Sequence, residues 1–207
     1  MKRTLLWLSC LVILLTFSVG AAAGTTVKGP TGLLKVPTAD GLPAGELGLA
    51  YHLDGGKGVG SVVYGIADNI ELGVFSGGSH SILGLHGKAV LVKESNNLPG
   101  LAVGICDESL YMVASKRLSR AGLRGHVGVG TKGYEGLFLG VSKMLNTVSV
   151  DSGFKSTGLP ATLLAAEYVK GGFNLGAEVL LTPEIRVKLA AEDLKTVILG
   201  VSFRMPL

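Results

Sequence analysis

Apolar residues alternate with small or polar residues at a spacing of two through most of this chain, and this pattern constrains the fold most. In the run 196–205 apolar residues hold every odd position, whereas Thr196, Ile198, Gly200, Ser202 and Arg204 hold the even ones. Period-two alternation between turn residues is typical of β-strands. Counting similar runs from about residue 47 onward predicts an all-β fold of about twelve strands.

The composition of the second strand face distinguishes two architectures. That face is mostly Gly, Ala and Ser with single charged residues, and only 16% of the chain is charged. A soluble β-sandwich exposes its second face to water, where charge is expected to dominate. An outer-membrane barrel turns its apolar face to lipid and lines its lumen with the other. We therefore predict an antiparallel up-and-down barrel of the outer-membrane type. The alternative is a soluble periplasmic β-sandwich that acts as a binding module.

Three short connections support the barrel. They are residues 67–69, 119–122 and 182–184, which join strands 2–3, 6–7 and 10–11 in our count. An up-and-down barrel places all three at one end, where bacterial barrels keep their short turns and chain termini. The segment 144–160 falls at the same end although it is long, so we expect either a miscounted strand or an extra element there.

Residues 1–23 predict a cleaved signal peptide. Lys2 and Arg3 precede an apolar run, and three alanines at 21–23 provide a cleavage site. We therefore expect export, an N-terminal arm over 24–45 and a single barrel domain over 46–207. Losing two cations leaves 17 Lys+Arg against 15 Asp+Glu, a net charge of +2, which gives little reason to expect a nucleic-acid partner. Cys106 remains as the sole cysteine, so no internal disulfide is expected.

Charged residues on the predicted lumen face are the candidate functional residues. Two accounts remain open: a cross-strand network of ion pairs inside a narrow barrel, or a slightly cationic pore that favours anionic sugars or other anions. The residues are Lys88, Arg117, Arg124, Arg186, Lys188, Glu71 and Glu178, with Arg204, Glu167 and Glu192 in the same set.

No motif predicts catalysis, a cofactor or a metal site. Residues 128–133 match G-x-G-x-x-G, but a returning strand follows rather than the helix that a dinucleotide requires. Residues 152–155 match S-x-x-K without the companion motifs of penicillin-binding enzymes. The four histidines lack metal-ligand spacing. We therefore predict a protein that is not an enzyme.

A resemblance to a known family lies between the signal peptide and the first clear strand. The stretch Gly29-Pro30-Thr31-Gly32-Leu33 continues to Pro37-Thr38-Ala39 and leads into a Gly-initiated strand by residue 49. It resembles the opening of the YjbH-like family of bacterial outer-membrane proteins, which is associated with exopolysaccharide biosynthesis. The resemblance implies an envelope barrel in a bacterium with two membranes, with outer-membrane lipid and polysaccharide or envelope-assembly proteins as partners.

The residues of this stretch also have a physical interpretation of their own. Pro30, Pro37 and Pro43 lack a backbone N–H for a strand ladder. The stretch is therefore an ordered arm, a plug within the lumen or an element that docks a partner.

Overall fold

The computed structural model describes residues 24–78, 80–119, 122–145 and 160–207, which form a closed barrel of twelve antiparallel strands. Each strand pairs with its neighbours in the chain, and β12 closes the barrel by pairing with β1. The predicted all-β barrel is confirmed, and the β-sandwich alternative is wrong because one continuous sheet closes on itself. The predicted signal peptide, residues 1–23, and most of the 144–160 connection lie outside the described residues.

The strand bounds follow the alternation seen in the sequence. The strands are β1 Glu46–Asp54, β2 Lys57–Ala67, β3 Ile70–Gly77, β4 His80–Val92, β5 Gly100–Cys106, β6 Ser109–Arg117, β7 Leu123–Gly130, β8 Gly136–Leu145, β9 Thr162–Val169, β10 Gly172–Leu180, β11 Ile185–Glu192 and β12 Thr196–Pro206. A 3-10 turn, Lys132–Tyr134, precedes β8.

The outer face of the barrel is apolar around its circumference. Leu72 on β3, Leu139 on β8 and Leu199 on β12 are all exposed, and equivalent outward positions on the other strands carry Leu, Val, Ile, Met, Tyr and Phe. Water strongly disfavours an apolar surface this large, whereas the hydrocarbon core of a bilayer accepts it. Closed strand ladders leave no backbone edge to lipid, so this barrel is a protein of the bacterial outer membrane. Among the described residues no helix is long and apolar enough to span a membrane.

The two ends of the barrel differ in their connections. We call the end where β1 begins and β12 finishes the near end, and the opposite end the far end. The connections β2–β3, β6–β7 and β10–β11 lie at the near end, as predicted from their shortness. The longer β4–β5 and β8–β9 connections also lie there, whereas all the far-end connections are short. The long 144–160 segment is therefore no sign of a miscounted strand.

Candidate functional site: an occupied lumen

Most of residues 24–45, which we call the arm, lie inside the barrel, and Pro43 and Ala44 are exposed beside the near-end β2–β3 connection. The arm begins against Glu178 in the near-end half of β10. At Lys35 it reaches Asp54, the last residue of β1, at the far end, and it returns to the near end to enter β1. Both ends of the arm therefore lie toward the near end, and it occupies the lumen without passing through the barrel.

The arm is folded upon itself by backbone hydrogen bonds. Gly32 N–H donates to the Gly24 carbonyl at 2.8 Å, and Val27 N–H donates to the Leu34 carbonyl at 3.0 Å. Thr38 N–H donates to the Thr31 carbonyl at 3.2 Å. Several passes of backbone thus lie side by side in the lumen, and they present their remaining polar groups to the wall.

Glu71 and Lys88 form the first contact between wall and arm. Their side chains, on β3 and β4, are fully buried and lie 3.2 Å apart. Glu71 accepts hydrogen bonds from the backbone N–H groups of Thr31 and Leu42, both at 2.9 Å, and from the Thr31 hydroxyl at 2.7 Å. Lys88 donates to the Thr31 carbonyl at 2.8 Å and to the Thr31 hydroxyl. A buried ion pair is stable only when such bonds satisfy its remaining atoms, and the arm supplies them.

Glu167 on β9 holds a tight turn of the arm. Its carboxylate accepts the N–H groups of Leu34 at 3.2 Å, Lys35 at 2.8 Å and Val36 at 3.0 Å. The amide of Asn174 on β10 donates to the same carboxylate at 3.0 Å. Three successive N–H groups converging on one anion form a nest, which stabilises negative charge through backbone dipoles.

Glu178, Arg186 and Lys188 form a third buried cluster on β10 and β11. The Glu178 carboxylate lies 3.2 Å from both Arg186 and Lys188. Lys188 also donates to the carbonyl of Leu33 at 2.6 Å and to that of Thr25. A Cβ at Gly24 would overlap the Glu178 carboxylate, so a larger residue at this start of the arm would have to displace that side chain from its ion pairs.

Arg124 on β7 links the arm to the β4–β5 connection. It donates two hydrogen bonds to the Asp40 carboxylate, at 2.7 and 3.0 Å, and one to Glu94 at 2.6 Å. Burial by itself would raise the pKa of the Asp40 carboxyl. The hydrogen bonds and charge of Arg124 outweigh this effect and hold that pKa below its ordinary value.

Lys35 makes the contact at the far end. Its ammonium lies 3.4 Å from Asp54 and forms a second ion pair with Glu192, the last residue of β11. Between 22% and 28% of each of these side chains is exposed, so water competes for them.

Apolar residues of the arm fill the space between these polar contacts. Leu33, Leu34 and Val36 are nearly or fully buried. Leu33 packs against Gly140 and Leu34 against Gly176, where an added Cβ would approach the leucine methyls to 2.9 and 2.8 Å. These inward-facing glycines therefore make room for the arm.

The charged residues chosen from the sequence occupy different positions. The structure brings Glu71 together with Lys88 and Glu178 with Arg186 and Lys188. Of these side chains, Glu71, Lys88, Glu178 and Lys188 contact the arm or its start. Arg204 is buried on β12. Arg117 is different, because it is the last residue of β6 and is exposed at the near end rather than enclosed in the lumen.

The partners on the arm and on the β4–β5 connection were not identified from the sequence. Thr31, Lys35 and Asp40 complete the wall clusters, and Glu94 shares Arg124. The only signal for them is charge and hydroxyl content within an otherwise apolar, Gly- and Pro-rich stretch.

The remaining sequence motifs have simple structural settings. Residues 128–133 end β7 and lead through a 3-10 turn into the antiparallel strand β8, which is not the setting of a dinucleotide site. The S-x-x-K motif at 152–155 lies outside the described residues. Within the described ranges, His, Cys, Asp and Glu form no group of three that could hold a metal ion.

Comparison with known proteins finds similarity of fold alone. No protein-family model and no curated protein matches the chain. A KdgM porin structure has a TM-score of 0.49 at 12% identity and covers 78% of this chain and 99% of its own. The same porin in complex with disordered oligogalacturonate has a TM-score of 0.47 at 12% identity, with coverages of 78% and 99%. The Acinetobacter baumannii outer membrane protein Omp33 has a TM-score of 0.46 at 10% identity, with coverages of 78% and 97%.

Proposed function

We propose that this chain is a non-enzymatic outer-membrane barrel that serves the export or assembly of extracellular polysaccharide, and that its own arm closes the lumen at rest. The observation that carries the closure is the bonding of the arm backbone to buried charges of the wall. Glu71 and Glu167 accept N–H groups of the arm, while Lys88 and Lys188 donate to its carbonyls.

The strength of these bonds favours a closed resting state. A hydrogen bond to a charged group contributes about 1.5–3 kcal/mol, and the wall forms many of them with the arm. Spontaneous release of the whole arm is therefore rare. The arrangement also accounts for the buried charges without catalysis, because each described cluster is bonded to the arm or to its own neighbours.

The polysaccharide role has its support in the sequence. The stretch that resembles the YjbH-like family, residues 29–49, is most of the arm together with its entry into β1. Its most distinctive residues are therefore those that occupy the lumen. This agreement supports a shared use of the arm in envelope biogenesis.

Planar-bilayer conductance tests the closure. The full-length protein is expected to be nearly insulating, and a variant lacking residues 25–42 is expected to conduct. A wild-type barrel that conducts steadily would contradict the closed state.

Disrupting the gene tests the polysaccharide role: cells are expected to lose extracellular polysaccharide and to regain it on complementation. Unchanged polysaccharide would contradict that role.

A continuously open, anion-selective pore is the second candidate. It is favoured by an excess of cations over carboxylates among the inward-facing residues of the described strands, away from the rims. The cations are Lys88, Arg124, Arg186, Lys188 and Arg204, and the carboxylates are Glu71, Glu167 and Glu178. Such a pore would prefer anions, and the double substitution Arg124→Glu with Arg186→Glu would reduce that preference. An insulating wild-type barrel would exclude this candidate.

A further inference from the structure

The wall holds the arm mainly through contacts that any chain rich in oxygen atoms would satisfy. Lys88 and Lys188 donate to backbone carbonyls, and these bonds do not depend on a particular arm side chain, although Lys88 also donates to the Thr31 hydroxyl. Glu71 and Glu167 accept from backbone N–H groups. Sugar hydroxyls both accept and donate hydrogen bonds, so the same wall groups have the chemistry to bind them.

Arg124 adds a specific requirement to this general pattern. Its two parallel hydrogen bonds to Asp40 are the bidentate geometry in which a guanidinium recognises a carboxylate. Asp40 belongs to the arm, whereas Glu94, the second carboxylate on Arg124, belongs to the β4–β5 connection. Withdrawal of the arm would leave this end of the guanidinium open to another carboxylate.

We propose that the arm is an internal ligand which a carboxylated saccharide displaces, with a sugar carboxylate taking the place of Asp40 on Arg124. This inference rests on the proposed function, because it takes the lumen as the route of the polysaccharide. It adds the chemical class of the substrate and the residue that selects it.

Charge and geometry favour this class over others. Exchanging one carboxylate for another leaves the local charge around Arg124 unchanged, so displacement costs little electrostatic energy. A polyphosphate carries no hydroxyl groups to donate to Glu71 and Glu167, whereas the hydroxyls of a saccharide would supply such donors. A neutral saccharide would lack the charged, bidentate pair that Arg124 forms with a carboxylate.

The course of the arm makes displacement possible without unfolding the barrel. Both ends of the arm lie toward the near end, so it can leave by that opening while the strand ladders stay intact. The space that the arm vacates has held several passes of peptide backbone, and this space is sufficient for an extended saccharide chain.

Binding to the purified full-length protein in detergent tests the inference, with galacturonate trisaccharide as the probe and neutral galactose trisaccharide as its control. Asp40→Asn and Arg124→Gln form a matched pair, because both break the same contact of the arm but only the second removes the carboxylate receptor. Asp40→Asn is expected to bind the acidic probe about tenfold more tightly than wild type, equivalent to about 1.4 kcal/mol. Arg124→Gln is expected to bind both probes equally weakly.

The displacement itself is measured by trypsin cleavage after Lys35, which the acidic probe is expected to accelerate and the neutral probe is not. Heat-modifiable migration on a gel confirms that each variant is folded. Equal binding of the two probes to wild type, or full acidic binding by Arg124→Gln, would overturn the inference. Equal binding of tripolyphosphate would also overturn it, because charge alone would then suffice. An open wild-type conductance would overturn the proposed closure without changing these binding results.

Discussion

The arm is attached to the barrel at two kinds of place, and they differ in their exposure to water. At the buried anchor, Glu71 and Lys88 are fully buried and bind Thr31 and Leu42. At the rim anchor, Lys35 pairs with two carboxylates that remain about a quarter exposed. Both anchors use opposite charges at similar distances. The difference teaches that the burial of an ion pair, rather than the number of ion pairs, decides how strongly it holds the arm in the lumen. Water screens the charges at the rim but not those in the interior.

The substitution Glu71→Ala at the buried anchor is expected to have the largest effect. It removes three hydrogen bonds from the arm and leaves the buried Lys88 ammonium without its ion-pair partner, a change that costs about 3–5 kcal/mol. The free energy of urea unfolding in detergent measures the loss. Adding Lys88→Met should restore part of it, because no orphaned charge remains. A loss under about 1 kcal/mol would mean that the arm is not anchored here.

Glu167→Gln tests whether the contact of Glu167 with the arm, which includes no lysine, contributes less stability than the contact at Glu71 and Lys88. The amide keeps one acceptor oxygen but loses the negative charge on which three backbone N–H groups converge. We expect a loss of about 1.5–3 kcal/mol and faster trypsin cleavage after Lys35. The control is Glu108→Gln, at a well-exposed ion pair with Lys132 on the barrel end, which should change neither quantity. Equal effects of the two substitutions would refute the nest at Glu167.

The Asp40 contact should weaken in acid. Its pKa is held below the ordinary value in the folded protein, so the unfolded chain binds more protons as the pH falls. The stability that Asp40 contributes is complete above its unfolded pKa of about 3.9 and is lost as the pH falls through the lower folded pKa. Hydrogen exchange of the arm amides, corrected for the intrinsic pH dependence of exchange, should show this loosening begin as the pH is lowered from about 6 to about 3, across the unfolded pKa. Asp40→Asn, which cannot titrate, should show less of it.

Lys35→Met at the rim anchor is expected to have the smallest effect. Exposed ion pairs contribute about 0–1 kcal/mol, and the methionine retains most of the apolar stem. The small loss should disappear at high salt, which screens exposed charges but not the Glu71–Lys88 pair. A loss as large as that of Glu71→Ala would reverse the ranking of the two anchors.

The wall could be predicted from the sequence because its information is local. Alternation assigned Leu199 to lipid and Gly200 to the lumen, and short turns placed three connections at one end. The burial of Glu71 and Glu178 also followed from alternation, since a one-residue shift would reverse every side chain of a strand.

The arm could not be predicted to the same degree because its contacts are distant in sequence. Thr31 bonds to Glu71 across 40 positions, and Val36 bonds to Glu167 across 131. No periodicity links such residues, and the arm lacks a regular strand or helix over 24–45. Its prolines excluded a ladder position, and they left the choice among an arm, a plug and a docking element open.

The pairing of β1 with β12 sets an order of events for biogenesis. Leu49 meets Phe203 in this pair, so the seam joins nearly the two extremes of the barrel domain. The seam can be sealed only after the last strand has been synthesised, whereas the arm precedes all twelve. The barrel therefore closes around the arm only when this last pairing forms, because the charged wall residues that hold the arm lie on strands between β1 and β12. Folding of the barrel is complete only when β1 pairs with β12. Loss of β12 would leave the barrel open beside β1 and the arm without a closed lumen to occupy.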